Sequence, residues 1–161
     1  MLACIYGVLL LLPEPEPKED IAFYGDTGFS VIAHRGGRGL VPGNTIEAAI
    51  NAVNIGSDII EIDVHLTADD VLVVRHDASI DTTTNGTGQI SAMSLADIQG
   101  YDVGFHEIDY PNAAPQDSIR VPALRDLFLE LPDQRYLIEL KPQDVSAADR
   151  LCGLIRPHNM Q

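Results

Sequence analysis

The sequence predicts an α/β fold with a mostly parallel sheet, and three observations carry that prediction. Short, dense apolar runs recur along the chain at Val31–Ala33, Ile59–Leu66, Val71–Val74 and Tyr136–Leu140. Stretches with apolar residues at helical spacing alternate with most of them. Ionisable residues sit on or just beyond every run, as in sheets whose chemistry gathers at the carboxyl ends of their strands.

The elements follow in order. Val31-Ile32-Ala33 is short and apolar and leads directly into His34-Arg35. Asn44 or Thr45 can cap a helix reaching Asn54, with Ile46, Ala49, Ile50 and Val53 on one face. Ile59 to Leu66 is β-branched and strand-like, and Thr67-Ala-Asp-Asp70 is a turn too short for a crossover helix. The next run, Val71–Val74, is therefore expected to fold back on the previous strand. Local pairing centred between Ala68 and Asp69 would set Glu61 opposite His76, unless a closed barrel imposes another register. Asp81 to Gly88 is a polar loop, Ser94–Ile98 a short helix opened by a serine cap, and His106 to Ser118 irregular. Leu124–Leu131 is an amphipathic helix, Tyr136–Leu140 a strand and Ser146–Ile155 a last helix.

Composition bounds the partners. With 45% hydrophobic residues in 161, the chain can bury one real core. Its net charge of −14, from 24 carboxylates against 10 Lys and Arg, disfavours nucleic acid and anionic membrane as general partners. An anionic substrate would need a local arginine or a metal ion. Cys4 and Cys152 match no ligand spacing or disulfide framework. Residues 1–12 form an apolar run shorter than the roughly 20 residues that span a bilayer, but of the length of a signal-sequence core. They predict the end of a membrane anchor or signal segment, hence a membrane-attached or extracytoplasmic location; buried in the fold instead, they would suit a cytoplasmic one. Residues 13–27, opening P-E-P-E-P, read as a stiff linker, and residues 28–161 as the folded domain.

Four strand ends carry the chemistry. The first delivers His34-Arg35. The second carries Glu61 and Asp63 at i and i+2, on one face of a strand. The third ends in His76-Asp77, and the fourth carries Glu139 and Lys141, again at i and i+2. Each alone has an ordinary reading as a wet strand face, a turn or a surface ion pair. Together, on strands that look apolar on both faces, they do not, because buried carboxylates are costly unless they meet a cation. Glu61, Asp63 and Glu139 make an oxygen site for one hard divalent cation, Ca²⁺ or Mg²⁺. His34 and His76 can serve as general base and general acid, and Arg35 and Lys141 can hold a tetrahedral oxyanion. That set suits phosphoryl transfer or phosphodiester cleavage.

These residues lie in stretches that resemble the glycerophosphodiester phosphodiesterase family: A-H-R-G-G (33–37), P-x-N-T (42–45), G-S-D-I-I-E-I-D-V-H-L-T (56–67), V-L-V-V-R-H-D (71–77), T-T-N-G-T-G (83–88), V-P-A-L (121–124) and L-I-E-L-K-P (137–142). The resemblance implies a TIM-type (β/α) barrel and metal-dependent hydrolysis of a small-molecule glycerophosphodiester to glycerol 3-phosphate and an alcohol. It implies His34 and His76 as the acid–base pair, Arg35 and Lys141 as phosphate contacts, and Glu61, Asp63 and Glu139 as metal ligands. A lysophospholipase D, or a phosphate-binding protein without turnover, would share these features. Three positions depart from the family's pattern: Gly43 replaces a glutamate at the mouth of the site, and Thr82 and Arg125, which look peripheral, replace an arginine and an acidic residue. A (β/α)₈ barrel takes about 250 residues, so the resemblance also predicts that this sequence is the N-terminal half, about four strands, of a longer protein. Tyr101, Phe105 and Tyr110, in or beside the insertion at 102–118, are candidates for a leaving-group pocket or for plain packing.

Overall fold

The computed structural model describes residues 29–105, 119–142 and 145–156. The apolar run at 1–12, the linker expected to end at 27, and the irregular stretch 106–118 with Tyr110 lie outside the described residues. Among those described, no helix is long and apolar enough to cross a membrane.

Four strands form one sheet: β1 (Ile32–Ala33), β2 (Ile59–Leu66), β3 (Leu72–Val74) and β4 (Arg135–Leu140). The helices are α1 (Ile46–Asn54), α2 (Leu95–Ile98), α3 (Leu124–Glu130) and α4 (Val145–Ile155). β2 is the axis of the sheet. β4 runs parallel to it in unbroken register from Ile59 opposite Arg135 to Val64 opposite Leu140. On the other edge β1 runs parallel for two residue pairs and stops. β3 then folds back antiparallel and takes the edge that β1 has left. Only three of the four strands are therefore parallel.

The β2–β3 register differs from the local expectation by one residue. Val64 faces Val74 and Leu66 faces Leu72, which centres the turn on Asp69 rather than before it, so Glu61 and His76 are not opposite each other. The Thr67 hydroxyl accepts the Val71 N–H at 2.9 Å, and Asp70 adopts a left-handed φ of 61°. This side-chain-closed turn holds one more residue than a bare hairpin centred on a peptide bond.

β1 ends because the chain bends sharply after it. Arg35, Gly36 and Gly37 take successive left-handed φ values of 52°, 72° and 90°, conformations incompatible with a continuing strand. α1 then begins at Thr45, whose Oγ1 accepts the Ala48 N–H at 3.1 Å and donates to the Pro42 carbonyl at 2.7 Å. The deeply buried positions of α1 are Ala48, Ala49 and Ala52, while Ile46, Ile50 and Val53 are only partly covered. The expected branched face is thus displaced toward the alanines. Close approach explains it: a Cβ at Gly36 would lie 3.1 Å from the Ala49 nitrogen and 3.2 Å from the Ala48 Cβ, leaving no room for larger side chains.

One face of the sheet is sealed by helices. Ala33, Ile60, Ile62, Val64 and Tyr136 pack with Ala49 and Ala52 of α1 and with Leu124, Leu127 and Phe128 of α3, and Leu151, Leu154 and Ile155 of α4 close the edge. Tyr136 stacks obliquely on Phe128 with ring centroids 5.1 Å apart, and its hydroxyl donates to the Leu131 carbonyl at 3.0 Å. Burial pushes that phenol far above its ordinary range. A second cluster, including Val73, Ile80, Ile98 and Val121, lies under the polar loop. Tyr101 belongs to it and lies against Gly86, where a Cβ would collide with the ring, which makes Tyr101 a packing residue. The short helix α2 is opened by Ser94, paired reciprocally with Asp97 in a capping box.

The opposite face of the sheet carries Ile59, Glu61 and Asp63 of β2 and their register partners Arg135, Leu137 and Glu139 of β4. β2 is buried on both faces, as expected, but β4 is not: Leu137 is 44% exposed and Glu139 lies open. The candidate site residue Glu139 thus stands at a surface rather than inside a core.

The tight seating of the β1–α1 turn makes a mutational contrast. Gly36→Ala is expected to lose roughly 2–4 kcal/mol, combining left-handed strain with overpacking against α1. Gly56→Ala, with φ +93° and open space around it, should lose only about 1–2 kcal/mol. Urea unfolding midpoints of the two variants would check the ranking.

Candidate active site

Strand pairing alone assembles the acidic cluster. Alternation places Glu61 and Asp63 on one face of β2, and the parallel register sets Glu139 beside Asp63. One carboxylate oxygen from each of the three lies within 4.8 Å of the others. Lys141 follows at the end of β4, where its N–H donates to the Val64 carbonyl at 3.1 Å. Its ammonium bridges Glu139 at 2.8 Å and Asp63 at 2.9 Å.

Asp63 is the most constrained of the group, only 1% exposed. Asn44, also left-handed at φ 60°, clamps it twice: its amide donates to Oδ2 at 3.0 Å, and its Oδ1 accepts the Asp63 N–H at 3.2 Å. Burial alone would raise the Asp63 pKa, but hydrogen bonds from Asn44 and Lys141 outweigh it and hold the carboxyl below its ordinary value. Burial likewise opposes the charge on Lys141, and its bonds to Glu139 and Asp63 outweigh that, so the ammonium pKa is raised.

The bend after β1 brings its residues to the same place. The Arg35 N–H donates to Glu61 Oε2 at 2.7 Å, and its Nε stands 3.6 Å from Asp63 Oδ2. Arg35, expected as a phosphate contact, is thus also an internal counter-charge. His34 opens the turn with its side chain exposed.

His76 lies just past β3. Its Nδ1 is 2.6 Å from Asp77 Oδ1, and the other Asp77 oxygen accepts the Thr82 hydroxyl. That hydroxyl first, and the imidazole second, depress the Asp77 pKa. A carboxylate on Nδ1 fixes the ring's orientation and leaves Nε2 for chemistry. Thr82 is therefore not peripheral, because it orients the group that orients His76; Arg125 is exposed on α3. His65, at i+2 from Asp63, places Nε2 3.1 Å from the His76 carbonyl. Its continuation of the Glu61–Asp63 alternation was the available signal for it. Asn44 was legible only as a cap, since its partner is 19 residues away.

Arg35, Asn44, His76 and Asp77 open onto a cavity of about 440 Å³. Gly43 lies on its wall, where a Cβ would stand 2.7 Å from the Arg38 Cβ and 3.2 Å from the Arg35 Cβ. A side chain there would force the Arg38 side chain or the turn to shift.

Residues 34–159 match the model of the glycerophosphoryl diester phosphodiesterase family. A glycerophosphodiester phosphodiesterase of Caldanaerobacter subterraneus is 40% identical over 111 residues, covering 69% of this chain and 44% of that protein. The crystal structure of a glycerophosphodiester phosphodiesterase from Agrobacterium tumefaciens superposes with a TM-score of 0.71 at 34% identity, over 81% of this chain and 54% of that one. An Oleispira antarctica phosphodiesterase, solved in complex with the product sn-glycerol-3-phosphate, superposes with a TM-score of 0.70 at 27% identity, over 80% and 52%. The chain spans under half the length of the curated relatives it matches, and its sheet is part of a TIM-type barrel. Across 34–159, this chain belongs to the glycerophosphoryl diester phosphodiesterase family.

Proposed function

We propose that these residues form a metal-dependent site hydrolysing glycerophosphodiesters to glycerol 3-phosphate and an alcohol. The observation that carries the reading is the convergence of Glu61, Asp63 and Glu139 beside an imidazole already held by a carboxylate. The product named for the Oleispira antarctica neighbour supports the substrate class.

The acidic cluster fits a divalent ion. Ligand oxygens at the 2.3–2.6 Å typical of Ca²⁺ lie at most about 5 Å apart across the ion, and the three here fall within 4.8 Å. The Lys141 ammonium, bound to two of them, offsets part of the cluster's negative charge. Glu61, Asp63 and Glu139 would hold Ca²⁺ or Mg²⁺, which supplies polarisation of the phosphoryl oxygens and charge neutralisation.

The chain's own groups account for the rest. Arg35 and Lys141 offer donors to the equatorial oxygens, where negative charge grows as phosphorus becomes five-coordinate. His76, oriented by Asp77 and Thr82, can take a proton at Nε2 from the attacking hydroxyl. His34, open to solvent, can give one to the departing alcohol oxygen as the phosphorus–oxygen bond breaks. If that hydroxyl is the glycerol's own, the first displacement gives a cyclic phosphate, and water then opens it with the two imidazoles in exchanged roles, so that one water is consumed and both histidines return to their starting protonation.

His34→Ala is expected to lower kcat by about 10²–10⁴-fold while metal affinity stays nearly unchanged; calorimetric loss of metal binding would show the roles misassigned. Glu61→Gln should lose activity that excess Ca²⁺ or Mg²⁺ restores, measured on glycerophosphocholine with and without chelator. A pH effect follows from Asp63. Its folded pKa lies below the unfolded value, so its stabilisation is complete above the ordinary carboxylate range and is lost as pH falls through the folded value. Lys141→Met removes a cause of that depression, and acid unfolding followed by circular dichroism in chelator should begin at higher pH than in the parent.

A further inference from the structure

The bond between Asp77 and His76 is by itself a weak restraint on the imidazole. The two side chains are 38% and 39% exposed, for His76 and Asp77 respectively, so water competes for both. The sheet does not secure the backbone beneath the ring either. The β2–β3 ladder ends at Val64 opposite Val74, and one further bond, from the Arg75 N–H to the Asp63 carbonyl at 2.8 Å, carries the chain to the edge of a bend. His76 stands in that bend, outside any strand. A third histidine meets it there. His65 reaches across from β2 and places Nε2 3.1 Å from the His76 carbonyl oxygen. A carbonyl only accepts, so this Nε2 carries a hydrogen whether the His65 ring is neutral or charged. Alternation sets His65 on the face of β2 that carries Glu61 and Asp63, and it lines a cavity of about 500 Å³ together with Lys141. One strand face thus supplies two acids of the cluster and a brace for the imidazole beside them.

We propose that His65 is a positioning residue for His76. Its Nε2–H holds the His76 main chain in place, while Asp77 sets how the ring is turned. The assignment rests on the phosphodiesterase reading and gives a task to a residue which that reading leaves unused. Proton transfer needs heavy atoms within about 3 Å of each other, and a misplacement of about 1 Å can cost on the order of 10²-fold in rate. A backbone brace therefore matters to the reaction although it touches no substrate.

The test uses the full chain with three substitutions. His65→Leu fills the space without a donor, His65→Thr suits a strand but falls short of the carbonyl, and His65→Gln keeps an N–H at the reach of Nε2. NMR relaxation of the His76 ring, assigned by its loss in His76→Gln and recorded in chelator, should report one rigid orientation in the parent and in His65→Gln. The ring should become mobile in His65→Leu and His65→Thr. Hydrolysis of glycerophosphocholine with added Ca²⁺ should fall about 10–10²-fold in kcat in those two variants, with KM within about twofold. His65→Gln should recover most of that loss and keep both limbs of the parent's pH profile. A ring as rigid in His65→Leu and His65→Thr as in the parent would overturn the brace. So would a rate loss that His65→Gln leaves unrepaired, or a limb missing from its profile, since glutamine donates a hydrogen bond but exchanges no proton. Absence of turnover in the parent would count against the phosphodiesterase reading, and the relaxation measurement alone would then decide the brace.

Discussion

A carboxylate buried in the middle of a sheet is an expensive thing to keep, and Asp63 is such a group. Its charge is tolerable only because an amide, an ammonium and a guanidinium converge on it from three separate segments. Asn44 arrives from the start of α1, Lys141 from the end of β4, and Arg35 from the bend after β1. Removing one partner leaves an under-compensated buried charge, which costs far more than an exposed ion pair contributes. The arrangement of β1, α1 and β4 around β2 can therefore be understood as the solution to solvating one side chain without water.

The same need explains the irregular edge of β2. Between the last pair with β1 and the first with β3, the strand has no regular neighbour on that side. The Asp63 N–H goes to the Asn44 side chain and its carbonyl to the Arg75 N–H at 2.8 Å. Backbone groups in this gap are thus satisfied by the residues that shape the site.

Much of this was legible in the sequence, and the limits of legibility are physical. The strand bounds of β2, the i, i+2 carboxylates and the cap of α1 followed from alternation and local hydrogen bonding, which depend on nearby residues alone. The placement of Glu139 beside Asp63 required the β2–β4 register, which a sequence of two apolar runs suggests but does not determine. The β2–β3 register was off by one because the Thr67 side chain closes the turn, an effect invisible to a count of residues. Thr82 looked peripheral and Asn44 looked like a cap, since each acts through a side-chain bond to another segment. The alanine face of α1 reversed the usual expectation that the largest apolar residues lie deepest, because the neighbouring glycine turn sets the distance of approach.

The alternation of β2 has one more consequence, for how the chain finds its pairing. Its helix-facing side chains are Ile60, Ile62 and Val64, and its other face holds Glu61 and Asp63. Sliding the strand by a single residue would drive both acids into the hydrocarbon layer beneath α1 and α3 and expel the branched residues from it. Such a misthreaded sheet would have no amide or ammonium within reach to offset the charge. The acids of the candidate site therefore also proofread its assembly.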